Sequence, residues 1–371
     1  MKKSLLALAV LGAFAGVASA QSSVTLYGTI DLSGKYVKND GTTKRLSLSQ
    51  DGINSSQLGF RGVEDLGGGL KATFVLLAGV NADTGTSNSK FFNRKATVSL
   101  LNNAGELRLG RDYTPSFWNN TIYDAFGTNG LGSSINAVQL PTGTLVRADN
   151  SIGYFLPSNI GGFYGQLMLA AGEGATPVPG LLASATAPAN GSPVGSPYSG
   201  SANPGRYIGG RIGFAAGPFD IAGAYATQRY IYTTGRNAAG ASQKTYNIGG
   251  SYDFGFLKIL GYIDRDKVDF AKETRGSIST VIPFGQSEIH LGYSRSKLTV
   301  DGVAGFSNTV WQAAATYQYN LSKRTAMYGT ISQLTNGDHS AFSVSSGTAL
   351  RAAPTAGGDS KGFEVGLRHF F

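Results

Sequence analysis

The sequence of 371 residues has no cysteine, only three histidines and 14% charged residues. Without cysteine there are no disulfide frameworks, thiolate nucleophiles or cysteine metal sites, and three histidines leave little for zinc. The charged fraction falls well below the quarter or so usual in a soluble domain. Long apolar runs are also missing. After the first twenty residues none approaches the length of about 18 that a membrane-crossing helix needs; one of the longest, Thr73 to Val80, spans eight. No Walker loop, dinucleotide fingerprint or metal-ligand spacing occurs, so no cofactor is implied. One Gly-x-Ser-x-Gly match surrounds Ser360, from Gly358 to Gly362. It falls where no strand, sharp turn and helix are expected, so the chain does not read as an enzyme. The formal charge of +9 is not gathered into any dense lysine and arginine cluster, which argues against nucleic acid.

Glycine is abundant instead, at 53 residues, roughly twice the average share. Residues 1–20 have the pattern of a secretory signal peptide. Lys2 and Lys3 precede an apolar stretch from Leu5 to Val17, and Ala18, Ser19 and Ala20 supply small residues before Gln21. Removing that leader leaves residues 21–371 as a single domain with a charge of +7.

From Ser23 onward the chain divides into weakly alternating segments of about ten residues, the strand length of a transmembrane barrel. Seven short separators fall at Asp65 to Gly69, Asn102 to Gly105, Ser158 to Gly162, Ala216 to Pro218, Phe254 to Gly255, Pro283 to Gln286 and Leu321 to Arg324. They alternate with eight longer ones: Lys38 to Asn54, Asn81 to Lys90, Tyr113 to Ala148, Gly172 to Gly205, Tyr230 to Gln243, Lys267 to Lys272, Lys297 to Ser307 and Asn336 to Ser360. Fifteen connections join sixteen antiparallel strands. Short turns at one end and long loops at the other are the pattern of a bacterial outer-membrane β-barrel. In Thr309 to Leu321, Trp311, Ala313, Ala315, Tyr317 and Tyr319 share one face, with Gln312, Thr316, Gln318 and Asn320 on the other. Sixteen strands enclose a lumen too wide for side chains to fill, so the apolar face is expected outward, toward lipid. Unpaired edges are costly in hydrocarbon, so Ser23 to Val37 should pair with Lys361 to Phe371.

Three motifs then resemble a known family. They are Ser22-Ser23-Val24-Thr25-Leu26-Tyr27-Gly28, Leu58-Gly59-Phe60-Arg61-Gly62 followed by Glu64 to Lys71, and the ending Val365-Gly366-Leu367-Arg368-His369-Phe370-Phe371. Together they resemble the Gram-negative general porins, particularly those of beta-proteobacteria. The resemblance implies a homotrimer of sixteen-stranded barrels, each with its own pore narrowed by an inward-folded third extracellular loop. It also implies that the aromatic closing strand is a signal for the barrel-assembly machinery. The third loop here, Tyr113 to Ala148, is far longer than the usual four to six or so residues. It carries Phe117, Trp118, Ile122, Phe126, Leu131 and Ile135, which are expected to pack against the inner wall. The proline-rich Gly172 to Gly205 reads as an extended surface loop, open to contact with lipopolysaccharide.

In related porins a basic wall faces acidic residues on the inward loop. The matching basic positions are Lys38, Arg94 and Arg147, with Arg61 and Arg111 as further candidates. Gln57 stands where the pattern often has arginine. Arg94 shares parity with Ala96 and Val98, which would turn it outward. On the acidic side the loop keeps Asp124 but has Asn129 and no glutamate, so the opposing wall is weak. A positive balance over a weak acidic wall predicts passive diffusion of small hydrophilic solutes with anions preferred. The alternative is a specific channel using the same arginines to bind a carboxylate or phosphate solute.

Overall fold

Alternation sets the architecture, because each strand must present one face to hydrocarbon and the other to water or to an inserted loop. The computed structural model describes residues 23–140, 146–172, 177–178, 206–234, 237–268, 271–301, 307–345 and 354–371. The expected leader, residues 1–20, and most of the fourth loop lie outside them. Nineteen strands follow in chain order: β1 Ser23–Asn39, β2 Arg45–Gln50, β3 Gln57–Gly67, β4 Leu70–Asn81, β5 Thr86–Ser87, β6 Lys95–Asn102, β7 Gly105–Tyr113, β8 Arg147–Phe155, β9 Phe163–Ala170, β10 Pro177–Val178, β11 Tyr207–Ala216, β12 Phe219–Thr234, β13 Asn237–Asp253, β14 Lys258–Val268, β15 Ala271–Phe284, β16 Ser287–Val300, β17 Ser307–Asn320, β18 Thr325–Thr335 and β19 Ser360–Phe370. A single helix, α1, covers Pro115–Ile122 among the described residues.

Strands β2, β5 and β10 are short additions at the loop end. The other sixteen form a closed antiparallel barrel, each paired with its neighbours in sequence. The seam is β1 against β19, running from Thr29 opposite Phe370 to Asn39 opposite Ser360. Closure satisfies every edge, as a strand wall in lipid requires. The seven short connections expected from the sequence all lie at one end of the barrel.

The long-loop end differs from expectation in several places, among them the sixth loop, where Lys267 pairs with Lys272 and Val268 with Ala271. β12 and β13 run on to Thr234 and from Asn237, so Tyr230 to Gln243 is mostly ladder rather than loop. The first loop contains β2, which pairs with the far half of β1 while β3 pairs with the near half. Between them the chain leaves the wall at Asp51 and rejoins it at Gln57. Asp31 Oδ2 holds that excursion by accepting from the Ile53 and Asn54 amides at 2.9 and 2.7 Å.

The two faces have opposite chemistry. Leu167 is 64% exposed while its neighbour Gln166 is 7% exposed, and Ile152, Ile212, Ile263, Ile278 and Ile331 likewise face outward. Large apolar side chains covering the outer wall suit lipid and would be a liability in water. Aromatic pairs sit near the short-turn end of this surface, including Phe163 with Phe214 at 5.0 Å and Tyr252 with Phe254 at 4.5 Å between ring centroids. The buried apolar clusters lie inside the barrel. One joins Leu131 and Ala137 of the third loop to Val37, Val310, Leu334 and Val344. Another packs Tyr123 on Ala222 and Tyr262.

Candidate functional site

The third loop enters the lumen through α1. Thr114 caps the helix, its hydroxyl accepting from the Phe117 amide, and Pro115 occupies the first turn where its missing N–H costs nothing. The helix then binds the inner wall. Asn119 Nδ2 donates to the Ala222 carbonyl at 3.0 Å and to Asn247 Oδ1 at 2.8 Å. Beyond it, Tyr123 donates to Asp220 at 2.9 Å. Burial, reinforced by these neighbours, pushes the Tyr123 phenol above its ordinary value and keeps it neutral. Farther on, the Gln139 and Leu140 amides donate to the Glu273 carboxylate at 3.0 and 2.7 Å, and Gln312 Nε2 donates to the Leu131 carbonyl at 2.6 Å.

The wall makes room for the loop with glycine. A Cβ on Gly249 would lie 2.3 Å from the Tyr123 ring, and one on Gly292 would lie 2.5 Å from Phe126. Phe117, Phe126 and Leu131 are buried as expected, but Ile122 is exposed. Trp118 and Ile135 are half-buried. Tyr123 and Leu140, not singled out by sequence reasoning, are buried too.

Beneath this loop contact are buried charges. Arg275 on β15 meets Asp264 at 2.8 Å, Asp266 at 2.7 Å and Glu273 at 3.0 Å. Its guanidinium therefore neutralises part of a carboxylate cluster that also holds the loop backbone. The alternation Asp264-Arg265-Asp266-Lys267 was the available sequence signal, since it places acids on one face and cations on the other.

The loop's described contacts run from Tyr164 on β9 round to Leu334 on β18 and Val37 on β1, and the expected arginines lie on the opposite stretch of wall, from β3 to β8. Arg94 lies just before β6. Because the ladder has not begun there, strand parity does not govern it, and its Nη2 donates to the Tyr113 hydroxyl at 3.0 Å. Arg147 Nη2 donates to the same oxygen at 3.0 Å, with its guanidinium 4.5 Å from the Tyr113 ring centroid. Tyr113 in turn stacks on Phe117 at 5.7 Å. Arg111 stands at a bulge of β7 and donates to Asp149 at 2.6 Å. Arg94 and Arg111 both lie within electrostatic reach of Arg147. Arg61 is on the lumen face of β3, 5.8 Å from the Tyr27 ring centroid. Arg61, Arg94 and Arg147 have no carboxylate at ion-pair distance among the described residues. By contrast, Arg108 and Lys95, also inward, are balanced by Glu106 and Asp112.

Two expected site residues are placed elsewhere. Lys38 continues β1 rather than starting a loop, and alternation puts it on the outward face beside Tyr36, opposite Lys361. The inward lysine is Lys35, paired with Glu364 at 3.4 Å. Asp124 is only 4% exposed. Its carboxylate accepts from the Phe126, Thr128 and Ser134 amides and, at 2.7 Å, from the Ser134 hydroxyl. Burial dominates and raises its pKa above the ordinary value against those bonds. Asp124 thus organises the loop at the edge of a cavity that it lines with Glu288, His290 and Arg368, its carboxylate turned to the loop amides. Asp51, in the excursion before β3, is likewise raised by burial, against the Ser56 amide bond and the pull of Arg94. The histidine beside Glu288 touches the loop: His290 Nδ1 lies 2.8 Å from the Ala125 carbonyl oxygen. Ser360 is fully buried and its hydroxyl accepts from the Val344 amide, so the Gly-x-Ser-x-Gly match forms no exposed elbow.

A sixteen-stranded barrel with an outward apolar face, narrowed from within by one loop, defines a water-filled membrane channel. The model of the Gram-negative porin family matches residues 7–339, and the chain belongs to that family. It is 36% identical to outer membrane porin protein 32 of Delftia acidovorans across the full length of both chains. It is 28% identical to an outer membrane porin protein of Bordetella pertussis, covering 88% of this chain and 93% of the relative. Among solved structures, an anion-selective porin from Comamonas acidovorans superposes with a TM-score of 0.75 at 31% identity, covering 95% of this chain and all of the other. The protein is an outer-membrane β-barrel.

Proposed function

We propose that the pore passes small hydrophilic solutes by passive diffusion and prefers anions because its open wall carries uncompensated arginines. The observation that carries this reading is the convergence of Arg94 and Arg147 on Tyr113, with Arg61 on the same side and no acid at ion-pair distance among the described residues. Arg111 contributes less, since Asp149 balances it. The buried Asp124 supplies little opposing charge, so the local field is one-signed rather than transverse. Such a field concentrates counter-ions in a pore. The relative described as anion-selective supports the same reading.

Planar-bilayer recording tests it. In a salt gradient the reversal potential should report anion preference, and replacing Arg61, Arg94 and Arg147 together by alanine should reduce the anion-to-cation permeability ratio several-fold. Cation preference in the unaltered protein would overturn the reading. A second reading, specific uptake of a carboxylate or phosphate compound, is favoured by the two guanidiniums of Arg94 and Arg147 meeting on one oxygen of Tyr113 without a carboxylate partner among the described residues. Saturable current block by one such solute would select it.

Residues 1–20 are read as a cleaved export signal, and the family resemblance supports a homotrimer set in lipid and lipopolysaccharide. Phe371 is read as the end of the strand that the assembly machinery recognises. A channel without catalytic chemistry is the corresponding reading of the buried Ser360.

A further inference from the structure

The lumen holds a second charged region, apart from the arginines of β3 to β8. Between the tip of the third loop and the short turns after β15 and β17, a cavity of about 890 Å³ opens into the pore. Small-molecule sites usually fall in the range of roughly 300–1,000 Å³. The loop contributes Asp124 to its lining, and the wall contributes Glu288 of β16, Lys323 of the turn after β17 and Arg368 of β19.

The two acids are not equivalent. Asp124 is committed to loop amides, whereas the Glu288 side chain is 32% exposed. Glu288 Oε1 accepts from Asn320 Nδ2 at 3.2 Å, and Oε2 lies 3.1 Å from His290 Nε2. His290 Nδ1 is engaged as well, 2.8 Å from the Ala125 carbonyl oxygen. The imidazole therefore steadies the carboxylate without covering it, and a carboxylate has about four acceptor sites to offer. Arg368 Nη1 donates to Asn54 Oδ1 at 3.0 Å, and its guanidinium lies 4.3 Å from the Phe370 ring centroid. Glu288 is within electrostatic reach of Arg368. Yet neither Arg368 nor Lys323 has a carboxylate at ion-pair distance among the described residues.

A plain anion that has passed the basic wall thus meets an open acid beside two unneutralised cations. The acid repels a simple carboxylate or phosphate solute and works against the preference set by Arg61, Arg94 and Arg147. It becomes favourable for a solute that carries a cation next to its anionic groups. We propose that this cavity is a subsite for α-amino acids with an acidic side chain, the ammonium donating to Glu288 and the carboxylates accepting from Arg368 and Lys323. Hydrogen bonds between ionised partners give such a site its affinity. Repulsion by Glu288 excludes anions of similar size that lack the ammonium, which is how a site gains specificity against a competitor. The assignment deepens the reading of the chain as an anion-preferring pore and rests on it.

The test uses the full-length protein in planar bilayers. Chloride current is blocked with L-aspartate or with succinamate, which has the same single negative net charge but no ammonium. In the unaltered protein aspartate should block at a concentration several-fold below that of succinamate. E288Q should bring the two half-blocking concentrations together, while E288D should keep aspartate ahead. R368Q/K323Q should raise both concentrations several-fold. Heat-modifiable gel mobility checks that each variant is folded. Equal block by the two solutes in the unaltered protein, an undiminished preference in E288Q, or undiminished block of R368Q/K323Q would overturn the subsite. The reversal potential in a potassium chloride gradient reads the pore separately. A channel that prefers chloride but does not distinguish the two solutes fails the subsite alone, and one that prefers potassium fails the proposed function.

Discussion

Tyr113 concentrates the site's chemistry in one atom. Its phenolic oxygen accepts from two guanidiniums while its ring stacks on Phe117, tying the basic wall to the root of the inserted loop. Hydrogen bonds to charged groups contribute about 1.5–3 kcal/mol each. Tyr113→Phe should therefore free Arg94 and Arg147 while keeping the ring contacts. The expected result is greater open-channel noise and a lower anion preference in single-channel recording; unchanged traces would mean that the arginines are positioned by other contacts. Asp124 makes the complementary case. Asp124→Asn should leave the reversal potential close to that of the unaltered protein, because the carboxylate is turned into the loop. A strong gain in anion preference would return it to the pore lining. Neither role was legible from residue type: the same aspartate in the same loop serves the backbone or the lumen depending on which way a turn of Ser134 faces.

The inserted loop is the element on which the pore depends, and its attachments are polar. Glu273 accepts two loop amides and shares Arg275 with two aspartates. Removing one partner from such a buried set costs about 3–5 kcal/mol. Glu273→Ala should lower the temperature at which the barrel loses its compact gel mobility and raise single-channel conductance as the descending limb of the loop detaches. Asp124 adds a pH dependence of determined sign. Its pKa is raised in the packed loop, first by burial, so its contribution to packing is full below the free carboxyl value of about 4 and is lost as pH rises through the raised value. Loop fluctuations should thus be rarer at acid than at neutral pH, and Asp124→Asn should remove the difference. Apolar content in a very long loop made its insertion legible in advance. The excursion from Asp51 to Ser56 was not, because nothing in those residues signals that Asp31, far back on β1, will gather their amides. The ladder through Tyr230 to Gln243 was missed for the opposite reason. Its Asn, Ala and Gly residues resemble a loop, whereas pairing across β12 and β13 carries the strands onward.

At the scale of the whole molecule, strand count and orientation followed from the two alternations, of separators and of faces, and the placement of Lys38 failed where parity must be carried past a presumed loop boundary. Closure rests on the seam. Phe371 exchanges backbone hydrogen bonds with Gly28 at 3.0 and 3.1 Å, and its ring lies where a Cβ on Gly28 would be 2.3 Å away. The seam nevertheless continues from Thr29 to Asn39, so the barrel keeps most of its closing ladder without the final residue. Phe371 is also 41% exposed on the outer wall, where another protein can reach it. Deleting Phe371 should therefore affect assembly and stability unequally. Refolding in detergent should proceed with nearly the yield of the unaltered chain, since two hydrogen bonds of about 1 kcal/mol each are lost from a long ladder. In cells, the fraction reaching the outer membrane in heat-modifiable form should fall several-fold. Equal losses in detergent and in cells would place the importance of Phe371 in the seam itself, and no loss in either would leave the aromatic terminus without a role in assembly.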